Sequence, residues 1–557
     1  MKSQSTIQIQ HSQKNEHKCE FMNTKIFQMS AEKSVIFADV LVLGGGPAGT
    51  WAALSAAEQG VRVVLADKGY CGTSGATAPS NTGAWYLPKG GQRDGEIERR
   101  LSRSTGLADR RWLQRVIEQA QRGLDKLGDS GYPFPLDDLG NSYRANLRGP
   151  DYMGFMRRRA IAAGVRILDH HPALELLASN GAIAGAAGIH PRSGNLWEVR
   201  AGAVVLATGG CAFLSHALGC DGNTGDGYLM AAEAGVRLSG MEFSSQYGLS
   251  PAHTSVTKGL TFSFASFYLE DGSPLPETGE DRSVRIARQL IDGQKVYALM
   301  NRGNSVEHDW LRQGQPNCFL PFDRIGLDPF KERFPVTLRS EGTVRGVGGL
   351  EIINEDCATT VPGLYAAGDA ASRENIVGAV SGGGSPNASW AIASGTWSGR
   401  AAAGFAASLG DKAETRLVHG LGEAGLRPRK QPKKEGLISE VISGVQAETL
   451  PLDVNFFRSG VRIALSRQRL DAVWADVRDY LVGEGRNALR AREAAAMTAT
   501  ARWIWASADA RKESRGMHRR TDFTTTDDTQ TRRLLTFGID DVAVMAAEKH
   551  WQEVEVA

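Results

Sequence analysis

Val40-Leu41-Val42-Leu43-Gly44-Gly45-Gly46-Pro47-Ala48-Gly49-Thr50 is the segment from which the architecture can be read. Four apolar residues in a row, 40–43, predict a strand buried on both faces, as in a parallel sheet. Gly44, Gly46 and Gly49 then keep the G-x-G-x-x-G spacing. The first glycine permits a tight turn, and the second lets the backbone approach a pyrophosphate. The third lets the next helix pack closely on the strand. That helix, residues 51–59, is alanine-rich and stops at Gly60, a residue suited to a helix C-terminus. Its N-terminus offers unpaired N–H groups and a positive dipole end to phosphate oxygens. A second apolar strand, 61–66, runs into Asp67. This acid follows the glycines by about twenty residues, the position from which a ribose hydroxyl is held. One such signal alone is weak. Strand, glycines, helix, strand and acid in register predict a dinucleotide-binding unit.

The 557 residues are enough for about three or four domains. With 41% hydrophobic and 23% charged residues the chain is globular. Its 64 basic and 62 acidic residues leave a formal charge of +2, which gives no long-range reason to expect a nucleic-acid or membrane partner. Cys19, Cys71, Cys211, Cys220, Cys318 and Cys357 show no C-x-x-C spacing. That argues against an in-chain zinc or iron–sulfur site, so no metal is expected. It also offers no disulfide framework, which places the chain in a reducing cytoplasm. No apolar run approaches membrane-spanning length. Residues 1–32 are polar, lack an apolar signal core and read as a disordered tail.

Beyond Asp67, residues 68–83 are small and polar, either a mobile surface loop or a wrap around a ligand. Their place directly after Asp67 favours the wrap. Residues 95–127 and 153–163 read as helices, the first with Trp112, Leu113, Val116 and Ile117 facing inward. Short strands at 165–168, 173–177, 182–189 and 196–199, joined by Asn180-Gly181 and Ser193-Gly194, form a meander. A third buried strand, 203–207, ends in Thr208-Gly209-Gly210, a second point of close backbone approach. From 241 to 344 the pattern changes, with Phe262, Phe264, Phe267 and Tyr268 in a strand-like run and a helix at 283–291. The nucleotide-binding pattern then resumes, which makes 241–344 an insertion. Another apolar strand ends at Gly368-Asp369 and sets a carboxylate at the sheet edge where ligands of α/β folds bind. Glycines at 382–384 lead into a helix at 390–402. A polar linker follows, and then helices at 461–482 and 488–505. The charged run 513–523, taken alone, reads as a solvated face.

Three sheet segments, each ending in a glycine-rich loop, imply one large two-part cofactor. Carried by 44–49, Ala207-Thr208-Gly209-Gly210, Thr224-Gly225-Asp226-Gly227, 363–370 and 513–518, the chain resembles a known family from about residue 39 to about residue 527. The family is that of the FAD-binding flavoprotein subunits of succinate dehydrogenase and fumarate reductase, with their relatives L-aspartate oxidase and adenylylsulfate reductase. The resemblance implies an α/β fold: a Rossmann-like FAD-binding domain, an inserted α+β capping domain and a C-terminal helical domain. The boundaries expected are a disordered tail at 1–35, the FAD-binding domain at 36–240 and 345–406, and the capping, substrate-closing domain at 241–344. A linker at 407–436 and the helical C-terminal domain at 437–557 complete the chain. It also implies that Asp67 and Lys68 meet the adenosine half, and that Ser74, Thr77 and Ala78 line the pyrophosphate and flavin. Asp226 is the cofactor-contacting aspartate, Asp369 bonds the ribityl chain, and Ser389 sits near the isoalloxazine. Gly44, Gly46, Ala48, Gly49, Ala173, Thr208, Gly209 and Gly368 complete the implied FAD contacts.

Departures from the family limit the function that can be carried over. Membrane-bound members attach FAD through a histidine where this chain has Gly75, so FAD is expected to be noncovalent. Where dicarboxylate-using members have gripping histidines, this chain has Ser244-Ser245-Gln246-Tyr247-Gly248 and Val344-Arg345-Gly346-Val347. The arginine expected before the asparagine-serine pair is missing from 382–387. A C4 dicarboxylate needs several fixed cations or donors, so ordinary succinate or fumarate turnover is not expected. Arg288 falls where fumarate reductases have the proton-passing arginine; alternatively it is a surface arginine paired with Asp292. His253 either replaces a lost histidine or is a loop histidine without a role. Tyr247 and the phenylalanines form either an aromatic wall over the flavin or plain core. The expected function is hydride transfer between a small organic substrate and FAD. Two enzyme alternatives stand beside it. One is an adenylylsulfate-reductase-like subunit with a separate iron–sulfur or ferredoxin-like electron partner, and the other is an aspartate-oxidase-like oxidase. A third, non-enzymatic reading is a flavin-binding scaffold.

Overall fold

The computed structural model describes residues 34–547 apart from 80, 137–138, 258–260, 411 and 433–435. Its centre is a sheet organised around the long strand Leu196–Leu206. Along one edge this strand runs parallel to Ser34–Leu43, which in turn pairs with Val63–Ala66 and then Arg166–Leu168. Its other edge is shared. The first half pairs antiparallel with Ala182–Ile189, and the last three residues pair parallel with Leu364–Ala366. The parallel strands are buried on both faces, which is why their sequences are apolar without alternation. The two strands expected at 196–199 and 203–207 are therefore one. Residues 1–33 of the expected tail lie outside the described residues, and Ser34 and Val35 already pair with Trp197 and Glu198.

One face of the sheet carries the helices Pro47–Ala57 and Gly384–Leu409, which touch backbone to backbone. A Cβ at Gly395 would lie 2.4 Å from the carbonyl oxygen of Ala48, and one at Gly399 would lie 2.1 Å from that of Ala52. The small residues in the second helix thus set the spacing of the pair. The long helix expected at 95–127 is two helices, Gly91–Arg103 and Arg110–Asp129. They break at Thr105 and Gly106, both in the left-handed region, and Asp109 caps the second through the Trp112 N–H. The expected linker is also partly structured: His419–Gly420 pairs with Leu177 and Ala178 at the sheet edge.

The insertion is a four-stranded antiparallel sheet, in the order Gln246–Pro251, Phe334–Gly342, Val296–Leu299, Ser266–Leu269. Three helices, Arg282–Ile291, Ser305–Gly314 and Pro316–Ile325, cover it around a core that includes Phe262, Phe319, Phe322 and Phe334.

Three helices dominate the C-terminal part: Leu437–Thr449, Gly460–Tyr480 and Arg486–Ala510. The last is buried continuously from Ala491 to Ala508, so it shows little amphipathic period. Arg492 pins it to the rest of the protein through Glu233 and the carbonyls of Leu174 and Ala424. The C-terminal part is not all helical. The hairpin Leu534–Phe537 and Ala543–Ala546 joins Leu238–Ser239 and Gly349–Leu350 in a further sheet. Nor is the charged run a solvated face. Glu513, Arg515, His518 and Arg520 are all buried. Arg511 and Arg515 converge on Glu513, and Arg511 also donates to Glu242 at 2.7 Å. Burial and the nearby Arg458 guanidinium hold His518 well below the usual imidazole range, so its ring stays neutral. Most of these pairs are local, Arg511 and Arg515 with Glu513; what a linear run cannot display is the burial of the cluster and its link to Glu242.

Candidate active site and its cofactor cavity

A cavity of about 740 Å³ opens at the carboxyl ends of the parallel strands, lined mainly by the nucleotide-binding part and, just past the end of the insertion, by Arg345. Its floor is the glycine turn. Gly44 has φ +107°, and a Cβ there would meet the Ala207 carbonyl oxygen at 2.3 Å. Gly46 has nothing within 4 Å of its Cβ position, so the backbone there is open to a ligand. A Cβ at Gly49 would lie 1.8 Å from the Gly44 carbonyl oxygen; this glycine seats the helix and does not line the cavity. No side chain caps the helix Pro47–Ala57 at its Gly46 N-cap, which leaves its first-turn N–H groups for an anion.

Asp67 closes the turn from the other side. Its Oδ2 accepts the Gly45 N–H at 2.5 Å and the Ser74 hydroxyl at 2.9 Å, and its Oδ1 accepts the Gly69 N–H at 2.6 Å. The carboxylate thus ties the glycine turn to the following loop. A carboxylate offers about four acceptor positions, which leaves roughly one for a ligand hydroxyl. Lys68 contacts Thr224 at 2.8 Å, Asp226 at 2.7 Å and Glu493 at 2.8 Å. Burial alone would lower its pKa, but the two carboxylates hold it above the ordinary lysine value. Ser74, Thr77, Thr208 and Gly209 line the same cavity, as do Ala48, Ala173 and Gly368.

At the far side, Asp369 is held by one cation and one backbone amide. Its Oδ1 pairs with Arg373, and its Oδ2 accepts the Arg345 N–H at 3.3 Å. Burial pushes the Arg373 guanidinium down to about 10. Arg345 lines the cavity where the insertion meets the nucleotide-binding part. Its Nη2 donates to Glu341 and to the Thr257 carbonyl, while its own carbonyl accepts the Ser381 hydroxyl at 2.9 Å.

Several expected residues stand elsewhere. Ala78 packs in a core with Trp51, Leu54 and Tyr152. Ser389 is fully buried, and its hydroxyl accepts the Trp85 N–H at 2.8 Å; its neighbours Asn387 and Ala388 face the cavity instead. The three residues expected to be catalytic are not brought to the cavity. Arg288 is about half exposed, pairs with Glu280 and lies over the Phe457 ring. Its partner is not Asp292, because the turn before the helix brings Glu280 back alongside it. His253 is exposed and meets the edge of Phe322. Tyr247 is buried in the core of the insertion, with its hydroxyl on the carbonyls of Thr449, Leu450 and Pro451. The cavity residues His171, Arg345 and Asn387 escaped sequence reasoning in any binding role. Arg345 carried one readable signal: it stands where a histidine was missed.

The geometry is matched by comparison with known proteins. The model of an FAD binding domain matches residues 39–255, and that of a fumarate reductase flavoprotein C-terminal region matches 447–555. The chain belongs to the succinate dehydrogenase and fumarate reductase flavoprotein family. It is similar to the fumarate reductase flavoprotein subunit of Mycobacterium tuberculosis, 25% identical over 88% of this chain and 93% of that one. It is 27% identical to the L-aspartate oxidase of Streptomyces coelicolor, over 89% of this chain and 91% of the relative. The solved structure of Escherichia coli quinol fumarate reductase shares the fold with a TM-score of 0.77 at 22% identity, covering 94% of this chain and 98% of that one. This family member is an FAD-dependent oxidoreductase. The residues present fit the cofactor. Thr208 Oγ1 and both side-chain polar atoms of Asn387 are buried with no hydrogen-bond partner among the described residues, and they belong to residues that line the cavity above the glycine cradle. Among the described residues no helix is long and apolar enough to cross a membrane, and no cluster of side chains could hold a metal ion.

Proposed function

We propose that this flavoprotein transfers hydride between a small organic substrate and a noncovalently held FAD. The observation that carries the reading is the continuous cavity, whose lining includes both the glycine turn 44–46 and Arg345. FAD supplies the two-electron chemistry when bound. The chain does the rest. The open N-terminus of the helix Pro47–Ala57 holds the pyrophosphate, and Asp67 and Lys68 hold the adenosine half. Asp369 and Asn387 hold the flavin half, and 241–344 closes over the substrate and excludes water. The FAD-binding domain is 36–240 with 345–406, followed by the linker 407–436 and the C-terminal domain 437–557. Noncovalent attachment is supported by Gly75, which lines the cavity and has no side chain to form a bond.

A separate iron–sulfur or ferredoxin-like protein is the proposed electron partner, since the similar M. tuberculosis protein is named as a subunit. The cytoplasm is the proposed compartment, supported by five buried thiols at Cys71, Cys211, Cys220, Cys318 and Cys357; Cys19 lies outside the described residues. Acid precipitation tests the attachment: the yellow colour should leave with the supernatant. Anaerobic titration tests the activity: a substrate should bleach the flavin band. Colour retained in the pellet would end the noncovalent assignment, and a chain that cannot be loaded with FAD would end the whole reading.

A further inference from the structure

The charges around the cavity bear on what the enzyme accepts. Its described lining carries Lys68 and Arg345 as cations against the carboxylates of Asp67, Asp221, Asp226 and Asp369. Lys68 is already held by Asp226 and Glu493. Arg345 is paired with Glu341, whose side chain is fully buried. The pyrophosphate of a bound dinucleotide adds further negative charge. No uncompensated cation is left in this lining for a carboxylate, and a dicarboxylate would shed its water for nothing in return.

Arg345 is nonetheless built as a ligand-facing group. Its backbone has φ +58°, a strained conformation for a side chain of this size. The strain is held by the bonds from its N–H to Asp369 and from Ser381 to its carbonyl. The guanidinium anchors itself through Nη2, whereas the buried Nε has no hydrogen-bond partner among the described residues. Gly248 makes room for this arrangement, since a Cβ there would lie 2.7 Å from Thr257 Cβ and 3.1 Å from Glu341 Cδ. Thr257 in turn donates to Glu341 at 2.6 Å, which fixes the carboxylate that orients Arg345.

We infer that Arg345 binds the carbonyl oxygen of an uncharged, conjugated carbonyl substrate, and that Glu341 positions it and cancels its charge against carboxylates. This rests on the FAD oxidoreductase reading above. A neutral oxygen needs a donor and no net charge, and an enone presents such an oxygen conjugated to a reducible C=C bond.

The test uses the FAD-loaded protein and three probes: 2-cyclohexen-1-one, crotonate and fumarate. Binding is read from the perturbation of the flavin absorption band. The enone should bind at least about tenfold tighter than either carboxylate. Arg345→Gly suits the left-handed backbone, keeps the flavin, and should weaken enone binding by about ten- to a hundredfold. Glu341→Gln removes the cancelling charge and should move selectivity toward crotonate by about tenfold, a shift that a purely structural role would not produce. Carboxylates binding tighter than the enone in the parent, or enone affinity in Arg345→Gly within about twofold of the parent, would overturn the proposal. So would the absence of any perturbation by the enone. Failure of the protein to take up FAD at all would instead sink the underlying reading, and it is visible before any probe is added.

Discussion

Asp67→Asn tests how the glycine turn is held. In the parent, three donors converge on one buried carboxylate: Gly45 N–H and the Ser74 hydroxyl on Oδ2, and Gly69 N–H on Oδ1. An amide has one oxygen and one NH₂ group. Whichever way it is placed, at least one N–H of the turn faces a donor. The lost bond to a charged acceptor costs about 1.5–3 kcal/mol, and the stranded buried N–H about 1–3 kcal/mol. A total of about 2.5–6 kcal/mol follows, shared between the stability of the FAD-free protein and its affinity for FAD. Were all of it to fall on affinity, the Kd would rise by about a hundredfold or more. The assay is a titration of FAD-free protein by quenching of flavin fluorescence, with calorimetric melting of the same sample. A variant whose Kd stayed within about threefold of the parent, with the melting temperature unmoved, would refute the reasoning, because Asp67 would then not organise the turn.

Other outcomes follow from the same structure. Gly49→Ala should give little soluble protein, and that colourless, because its Cβ would sit 1.8 Å from the Gly44 carbonyl oxygen; normal flavin content in that variant would contradict the packing. Arg492→Ala strands the buried Glu233 carboxylate and should lower stability by about 3–5 kcal/mol in denaturant unfolding. Glu374 is pushed up to about 7, chiefly by burial and also by the neighbouring Glu242 carboxylate. Its raised pKa gives stability that is full at low pH and lost as pH rises through about 7, so Glu374→Gln should flatten that loss in melting scans. His518 acts with the opposite sign. Its folded pKa is depressed, so stability falls as pH drops below about 6.5, and His518→Asn should remove that part of the acid limb.

The nucleotide-binding half was legible because its signals are local. Gly44, Gly46, Gly49 and Asp67 sit within one strand-turn-helix-strand unit, and each answers to a backbone constraint that spacing alone reveals. Strand burial reads as an apolar run, and a required glycine reads as a glycine. The helix Arg486–Ala510 was legible in type but not in surroundings, because a helix buried all round has no period to announce its partners. The run 513–523 misled for the complementary reason: Arg515 pairs with Glu513 and Arg520 with Asp522, but what buries the cluster is packing around it, with Arg511 tying it to Glu242, far away in sequence.

The substrate end was decided only by folding. Arg288, His253 and Tyr247 all had suitable chemistry, but a side chain acts where its element points it. Glu280, Phe322 and the carbonyls of 449–451 claimed them first. Arg345 reached the cavity through a left-handed backbone, a buried glutamate one turn away and a bond to Asp369. The chain order could establish that a dinucleotide is held, because phosphate recognition is written in consecutive backbone. Which charges remain uncompensated around the bound cofactor is a sum over segments that meet only in three dimensions, and only the tertiary structure could supply it.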